Sequence, residues 1–379
     1  MPLVAHSNLP TFARLREQGQ QVLTLERAEH QDIRELHIGL LNMMPDAALK
    51  ATEEQFIRLV GNCNQIAQFF VYPFTLPVLP RSKRALEHIG RYYSSFDELR
   101  THGLDALIIT GANVTNPALS EEPFWEPLVD IIEWAHENVA STLCSCLATH
   151  ALVKHLYGIE RQPLPSKQWG VYSHKVTRPA HPLTKGINTR FDAPHSRWNE
   201  ISREQCEQAG LSVLACSVEA GVHLAVSRDQ FSIVYFQGHP EYDANSLLKE
   251  YKREVSRYLQ GDLAEPPVFP ENYFSLTAET TARRFIDQAN EAREAGRAPP
   301  DFPEAELALM VDDTWGDTGK AIVNNWLGLV YQVTNVDRHK RFMDGIDPED
   351  PLGLRSKSGQ GERYNARALN EQPPAQTED

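Results

Sequence analysis

The sequence predicts an α/β protein whose mostly parallel sheet is covered by helices on both faces. Short apolar runs alternate with amphipathic runs of helical length from about residue 36 to residue 157, which is the rhythm of strand, helix, strand. The residues able to do chemistry fall where those apolar runs end, the place where parallel sheets collect ligands. A chain of 379 residues with 41% hydrophobic content is also long enough to bury a core on both sides of such a sheet.

Residues 1–30 show little periodicity and read as a partly ordered lead-in. Leu36 to Asn42 is a buried first strand, and Met43-Met44-Pro45-Asp46 turns the chain into a helix from about 47 to 60, with Asp46 as its N-cap. Gln68 to Tyr72 is a second strand. A long connection with Pro73, Pro77, Pro80 and a basic cluster leads to a third, Leu104 to Gly111, and then to an amphipathic helix over 123–138. Val139 to Leu143 is a short buried strand running into a helix over 148–156 that Gly158 stops. Segments 170–174, 211–216, 222–226 and 231–237 extend the sheet, partly antiparallel, and a helix over 244–259 follows. The organisation is therefore a lead-in (1–30), a catalytic domain (31–275), a helical insertion (276–317), a docking segment (318–346) and a tail (347–379) whose Gly, Ser, Gln, Pro and charge predict disorder. Removing residues 350–379 is expected to change neither folding nor rate.

Composition narrows the function. The formal charge of -14 and the scattered basic residues argue against a nucleic-acid partner and against an anionic membrane surface. No apolar run approaches the ~20 residues of a membrane span and no export signal opens the chain, so a cytoplasmic location is expected. Five cysteines suit reduced thiols better than a disulfide framework. Cys144-x-Cys146 lacks a second ligand pair at finger spacing, so no metal is expected.

Cys146 sits at the corner between the strand and the helix it feeds. There the helix dipole favours thiolate over thiol, and the tight turn pushes the side chain toward a substrate. A cysteine alone is more often core filling. A second strand end, Gly238-His239-Pro240-Glu241, changes that balance, because an imidazole in reach of the thiolate can take and return a proton while Glu241 fixes its tautomer. The pattern is a Cys-His-Glu triad.

The chain resembles the homoserine O-acyltransferases of the MetA family. The resemblance rests on Leu41-Asn-Met-Met-Pro45, Leu107-Ile-Ile-Thr-Gly-Ala112, Cys146 in its turn, Lys167-Gln-Trp-Gly-Val-Tyr-Ser-His174, Ala193-Pro-His-Ser-Arg197 and Gly238-His-Pro-Glu-Tyr-Asp243, in order and at family spacing. It covers about 30–275 and resumes at Asn325 to Thr334. It implies the fold of class I glutamine amidotransferase domains, with a C-terminal extension, and transfer of an acyl group from acyl-coenzyme A to the hydroxyl of L-homoserine in methionine biosynthesis. By the same resemblance Cys146 carries the acyl thioester, His239 is the base and Glu241 its partner. Lys167 and Ser196 match substrate-binding positions, and Arg253 matches the arginine that holds the amino acid's carboxylate, a task suited to a bidentate guanidinium. Acyl-coenzyme A is a co-substrate with no further cofactor, and the family suggests a homodimer.

The chain also departs from the family. Leu147-Ala148-Thr149-His150 replaces the usual Trp-Gly-Ala-Gln, so the Leu147 amide serves the oxyanion site beside a different side chain. Asn113-Val-Thr115 replaces a Pro-containing loop, and the 276–317 segment has no recognised counterpart. In the resembled family a glutamate at the position of Thr115 goes with acetyl-coenzyme A and a glycine with succinyl-coenzyme A. Thr115 is small and uncharged, and its hydroxyl can donate to a carboxylate, which favours succinyl-coenzyme A as donor. Asn113 or another loop residue is the alternative determinant. Acetyl transfer, a hydrolase on the same scaffold and a silent binding protein are the competing readings.

Overall fold

The computed structural model describes residues 3–63 and 67–355. The chain opens with β1 (Leu3–Ala5), α1 (Pro10–Glu17), β2 (Val22–Thr24) and α2 (Leu25–Glu29). Strands and helices then alternate through β3 (Glu35–Leu41), α3 (Asp46–Gly61), β4 (Gln68–Phe74), α4 (Lys83–Tyr92), α5 (Phe96–His102) and β5 (Ala106–Ile109). The rhythm continues with α6 (Trp125–Asn138), β6 (Ser141–Ser145) and α7 (Leu147–Tyr157). A strand-rich stretch follows: β7 (Gln162–Val176), β8 (Arg190–Glu200), α8 (Arg203–Gln208), β9 (Ser212–Ser217), β10 (Gly221–Val226) and β11 (Ile233–Phe236). The chain ends in helices α9 (Ser246–Gln260), α10 (Leu276–Glu294), α11 (Glu304–Ala308) and α12 (Gly316–Val333).

All of these strands join one sheet in the order β2-β1-β4-β3-β5-β6-β11-β10-β9-β7-β8. Pairings from β2 to β11 are parallel, and those from β11 through β10, β9 and β7 to β8 are antiparallel. The central strands β5 and β11 are apolar along their length because both of their faces are covered. Leu36, Ile38, Leu40, Ile108 and Leu143 point into a core with α1, α3 and α12, whereas Leu41, Leu107, Ile109 and Cys144 point into one with α6 and α7. A third core joins α9, α10 and Trp315.

Three expectations are corrected here. The lead-in is part of the sheet: β1 pairs with both β2 and β4, and Thr11 hydrogen-bonds to the fully buried Glu53, which also takes His88 Nε2 at 2.8 Å. Strands of three residues leave no period to read. Asp46 is not the N-cap of α3; Pro45 holds that position, and the Asp46 carboxylate reaches across to the Ser82 amide at 2.7 Å. The tail does not begin at 347, since Leu352 packs on the first core and Arg355 Nη2 donates to Arg228 O at 3.1 Å. Cutting at 350 would therefore remove a real contact; residues 356–379 lie outside the described residues.

The docking segment reaches the catalytic strand. Trp326, fully buried on α12, donates its Nε1–H to Ser141 Oγ at 2.8 Å, at the start of β6. Trp326→Phe loses that bond and leaves part of the buried indole's volume empty, which together should cost about 2–4 kcal/mol. A lowered urea midpoint with unchanged kcat is the expected result; an unchanged midpoint would remove the bond from the account. No helix among the described residues is long and apolar enough to cross a membrane.

Candidate active site

The turn after β6 sets the site. Cys146 takes φ 51° and ψ -110°, a conformation a β-carbon resists at a cost of roughly 1–3 kcal/mol. The neighbourhood holds it there. Its N–H donates to Phe236 O at 2.8 Å, and Thr149 Oγ1 donates to the same carbonyl at 2.7 Å. One residue further, His150 Nε2 donates to Gln237 Oε1 at 3.1 Å, and Gln237 in turn bonds Ile201 and Val222. Thr149 and His150, two of the four residues that depart from the family pattern, thus lock the helix after Cys146 to the end of β11, the strand that leads into His239. Gly111 lies against the turn: a β-carbon there would stand 3.6 Å from Cys146 Cβ, an ordinary contact. Leu147 is the first residue of α7, so its amide is among those with no acceptor inside the helix, as an oxyanion donor requires.

The other cysteines do not compete. Burial pushes the Cys63 and Cys206 thiols up to about 12 and raises Cys144 and Cys216 as well, whereas Cys146 opens onto a cleft.

The predicted triad assembles. His239 Nδ1 donates to Glu241 Oε1 at 2.9 Å, which leaves Nε2, buried and without a partner of hydrogen-bond geometry, as the nitrogen that serves Cys146. Burial works to lower the His239 pKa, but the negative charges of Glu241 and of the Cys146 sulfur outweigh it and hold the pKa well above the usual imidazole value. Ser145 Oγ donates to the same Glu241 oxygen at 3.3 Å, and the Tyr242 ring stacks on His239 with centroids 4.2 Å apart. Trp315 Nε1 donates to Tyr242 O at 2.8 Å, so the 276–317 segment and the following helix brace this turn.

A cleft of about 480 Å³ brings Cys146, His239, Ser196 and Arg253 together with Asn113 and Glu250. A larger cavity of about 620 Å³ lies on the other side of Glu241 and Tyr242, beside Arg58 and Asp313, and does not reach the thiol. Glu250 was not foreseen. Its carboxylate accepts Ser196 Oγ at 2.7 Å, Tyr242 OH at 2.6 Å and Lys167 Nζ at 3.2 Å. Burial would raise its pKa, but the Lys167 charge and the two hydroxyl bonds outweigh that and keep it low. Lys167 also lies 4.1 Å over the Trp169 ring. The signal was present in the sequence: Ser246, Lys249, Glu250, Arg253 and Ser256 recur at helical spacing and make a polar stripe of α9 along the cleft.

Thr115 is corrected. It is exposed, outside the cleft lining, and its N–H donates to Glu122 Oε1 at 2.5 Å while its hydroxyl points to Glu122 Oε2 at 3.5 Å. The loop residue that lines the cleft is Asn113. The bonds to Glu122 set the loop's path, with Asn113 in the cleft lining and Thr115 outside it.

Among the described residues, His174, His195 and His223 bring ring nitrogens within 4.8 Å of one another, close enough to hold a metal ion. Their hydrogen bonds say otherwise. Arg197 Nε donates to His195 Nδ1 at 3.3 Å, so His195 carries its proton on Nε2 and gives it to His174 Nε2 at 3.2 Å; His174 Nδ1 donates to Tyr172 O at 2.8 Å. Burial lowers the pKa of all three, to about 4 for His174, so the chain runs through neutral rings with no lone pair left on His195 for a metal.

A family model described as homoserine O-succinyltransferase matches residues 2–336. The chain is 61% identical to the homoserine O-succinyltransferase of Methylococcus capsulatus over 354 residues, 93% of this chain and 100% of that one. It is 59% identical to the enzyme of the same name from Allochromatium vinosum, over 93% of this chain and 99% of the relative. A solved glutamine amidotransferase from Thermotoga maritima aligns with a TM-score of 0.40 at 14% identity, over 79% of this chain and 99% of that one. The span matched by the family model takes in residues 276–317, so that segment is not foreign to the family.

Proposed function

The chain belongs to the homoserine O-succinyltransferase family, and from that premise we propose that it moves the succinyl group through a covalent thioester on Cys146. The reaction it carries out is transfer of succinyl from succinyl-coenzyme A to the hydroxyl of L-homoserine, a step of methionine biosynthesis. The observation that carries the mechanism is the convergence of Cys146, His239 and Arg253 on one cleft, with Glu241 behind the imidazole.

In the first half-reaction the Cys146 thiolate attacks the thioester carbonyl, and the Leu147 amide faces the developing oxyanion. The tetrahedral intermediate collapses by breaking the bond to coenzyme A sulfur, and imidazolium His239 protonates that leaving thiolate. Neutral His239 then takes the proton of the homoserine hydroxyl as its oxygen attacks the acyl-enzyme. The bond to Cys146 breaks, and thiolate and imidazolium are restored. Arg253 and Glu250, three residues apart on α9, complement the carboxylate and the ammonium of an α-amino acid. Lys167 and Ser196 hold Glu250 for that task. The chemistry needs no metal and no cofactor besides acyl-coenzyme A as co-substrate. A cytoplasmic homodimer belongs to the same reading, and sedimentation of the purified protein tests the dimer.

Intact-protein mass spectrometry tests the thioester. Succinyl-coenzyme A should add one succinyl mass to Cys146, and homoserine should discharge it; turnover without any adduct under rapid quench would overturn the covalent route. A second expectation concerns pH. The Glu241 carboxylate raises the His239 pKa, so Glu241→Gln lowers it and the imidazolium is lost at a lower pH. The basic limb of kcat/KM for succinyl-coenzyme A should move down in pH, with kcat reduced on the order of 10²–10⁴-fold. A basic limb that stays in place would separate Glu241 from the proton chemistry.

A further inference from the structure

The acceptor's hydroxyl has to arrive within reach of His239 Nε2 while its α-ammonium and α-carboxylate groups are held on α9, in the same cleft. The separation between those two places is set by whatever touches both. Tyr242 does. Its ring stacks on the His239 imidazole, with centroids 4.2 Å apart and planes 18° apart, and its hydroxyl donates to Glu250 Oε1 at 2.6 Å.

Both ends of that side chain are fixed. Glu250 Oε2 is taken by Ser196 Oγ at 2.7 Å and Lys167 Nζ at 3.2 Å, which leaves Oε1 to the tyrosine and to an incoming ammonium. Behind the ring, the Tyr242 N–H donates to His239 O at 3.3 Å, and the Tyr242 carbonyl accepts Trp315 Nε1–H at 2.8 Å. Burial and the Glu250 charge push the phenol pKa up, so the hydroxyl stays protonated and remains a donor to the carboxylate. A phenol is rigid from its β-carbon to its oxygen, so the face that backs the base and the hydroxyl that holds Glu250 cannot move independently.

We propose that Tyr242 sets the spacing between the amino-acid site and the base, and so selects an acceptor whose hydroxyl stands two methylene groups from the α-carbon. L-Serine carries its hydroxyl one methylene from the α-carbon. Held by the same Glu250 and Arg253, its oxygen falls short of Nε2 by about 1 Å, a misplacement that costs on the order of 10²-fold in rate. Tyr242 acts through Glu250 and His239 and is a positioning residue. The assignment rests on the covalent reading above and on Glu250 as the partner of the ammonium.

The test separates the two half-reactions by rapid-quench intact mass in the wild type, Tyr242→Phe, Glu250→Gln and the double variant. It follows the adduct on Cys146 as it forms with succinyl-coenzyme A and as L-homoserine or L-serine discharges it. Phenylalanine keeps the stack on His239 and loses the bond to Glu250. Acylation should stay within about threefold, discharge by homoserine should slow on the order of 10–100-fold, and the preference for homoserine over serine should narrow by a comparable factor. Glu250→Gln should show the same split, and the double variant should be little slower than Glu250→Gln alone, because the hydroxyl acts through that carboxylate. Equal slowing of both half-reactions, an unchanged preference, or additive losses in the double variant would overturn the spacing role. An adduct on wild-type Cys146 with unchanged discharge in Tyr242→Phe sinks the tyrosine alone, and no adduct in the wild type sinks both readings.

Discussion

Cys146→Ser and His239→Ala are each expected to lower turnover by about 10⁴-fold or more while leaving the thermal transition in place. Serine in the same turn keeps the N–H bond to Phe236 O and the packing against Gly111, but its hydroxyl is far less ionised than a thiol beside an imidazolium. In the proposed mechanism, alanine at 239 removes the group that protonates coenzyme A sulfur and then accepts the homoserine proton. Cys144→Ser is the control, since that side chain is fully buried in β6 and faces the core with α6 and α7. It should cost stability and little activity. Full activity in Cys146→Ser, or loss confined to Cys144→Ser, would move the nucleophile away from the turn.

Gly238→Ala is expected to be nearly as damaging, for a steric reason. A β-carbon at 238 would lie 2.6 Å from His223 Nδ1, 2.8 Å from Pro194 O and 2.9 Å from His195 Nε2. One of those atoms is backbone, and it is the same carbonyl that accepts the His239 N–H at 2.9 Å. The methyl group must therefore push away the strand that positions the base. Overpacking of this kind costs about 1–3 kcal/mol, and displacing a catalytic group by an ångström costs on the order of 10²-fold in rate. Urea unfolding and kcat measured together check both; wild-type kcat would show that the close approach of Gly238 to Pro194, His195 and His223 does not position His239.

The triad was legible because Cys146 and His239 each follow an apolar run, and Glu241 stands two residues beyond His239. Pattern alone brought them to one end of the sheet. What failed was whatever depends on turns or on edges. Thr115 missed the cleft because a loop's path is set by bonds such as those to Glu122. β8 was hidden because an edge strand carrying Asp192, His195 and Arg197 does not look apolar, although it pairs with β7 along most of its length. β7 itself begins earlier than expected, with Pro163 and Pro165 tolerated at its irregular start. Glu250 was recoverable in principle from the spacing of α9, but a glutamate on a charged helix face carries no mark of burial until its partners from β7 and β8 arrive.

The contacts of α12 bear on the order in which the enzyme becomes active as it is synthesised. Trp326 lies under the strand that carries Cys146, and a β-carbon at Gly319 would stand 2.6 Å from Pro240 O, so the last long helix closes against both halves of the triad. A nascent chain still lacking these residues already contains Cys146, His239 and Glu241 and the bonds that join them to β6 and β11, but not the helix behind them. The brace behind the site is thereby completed only when α12 has been synthesised, and a chain broken off before Gly316 carries its triad without that brace.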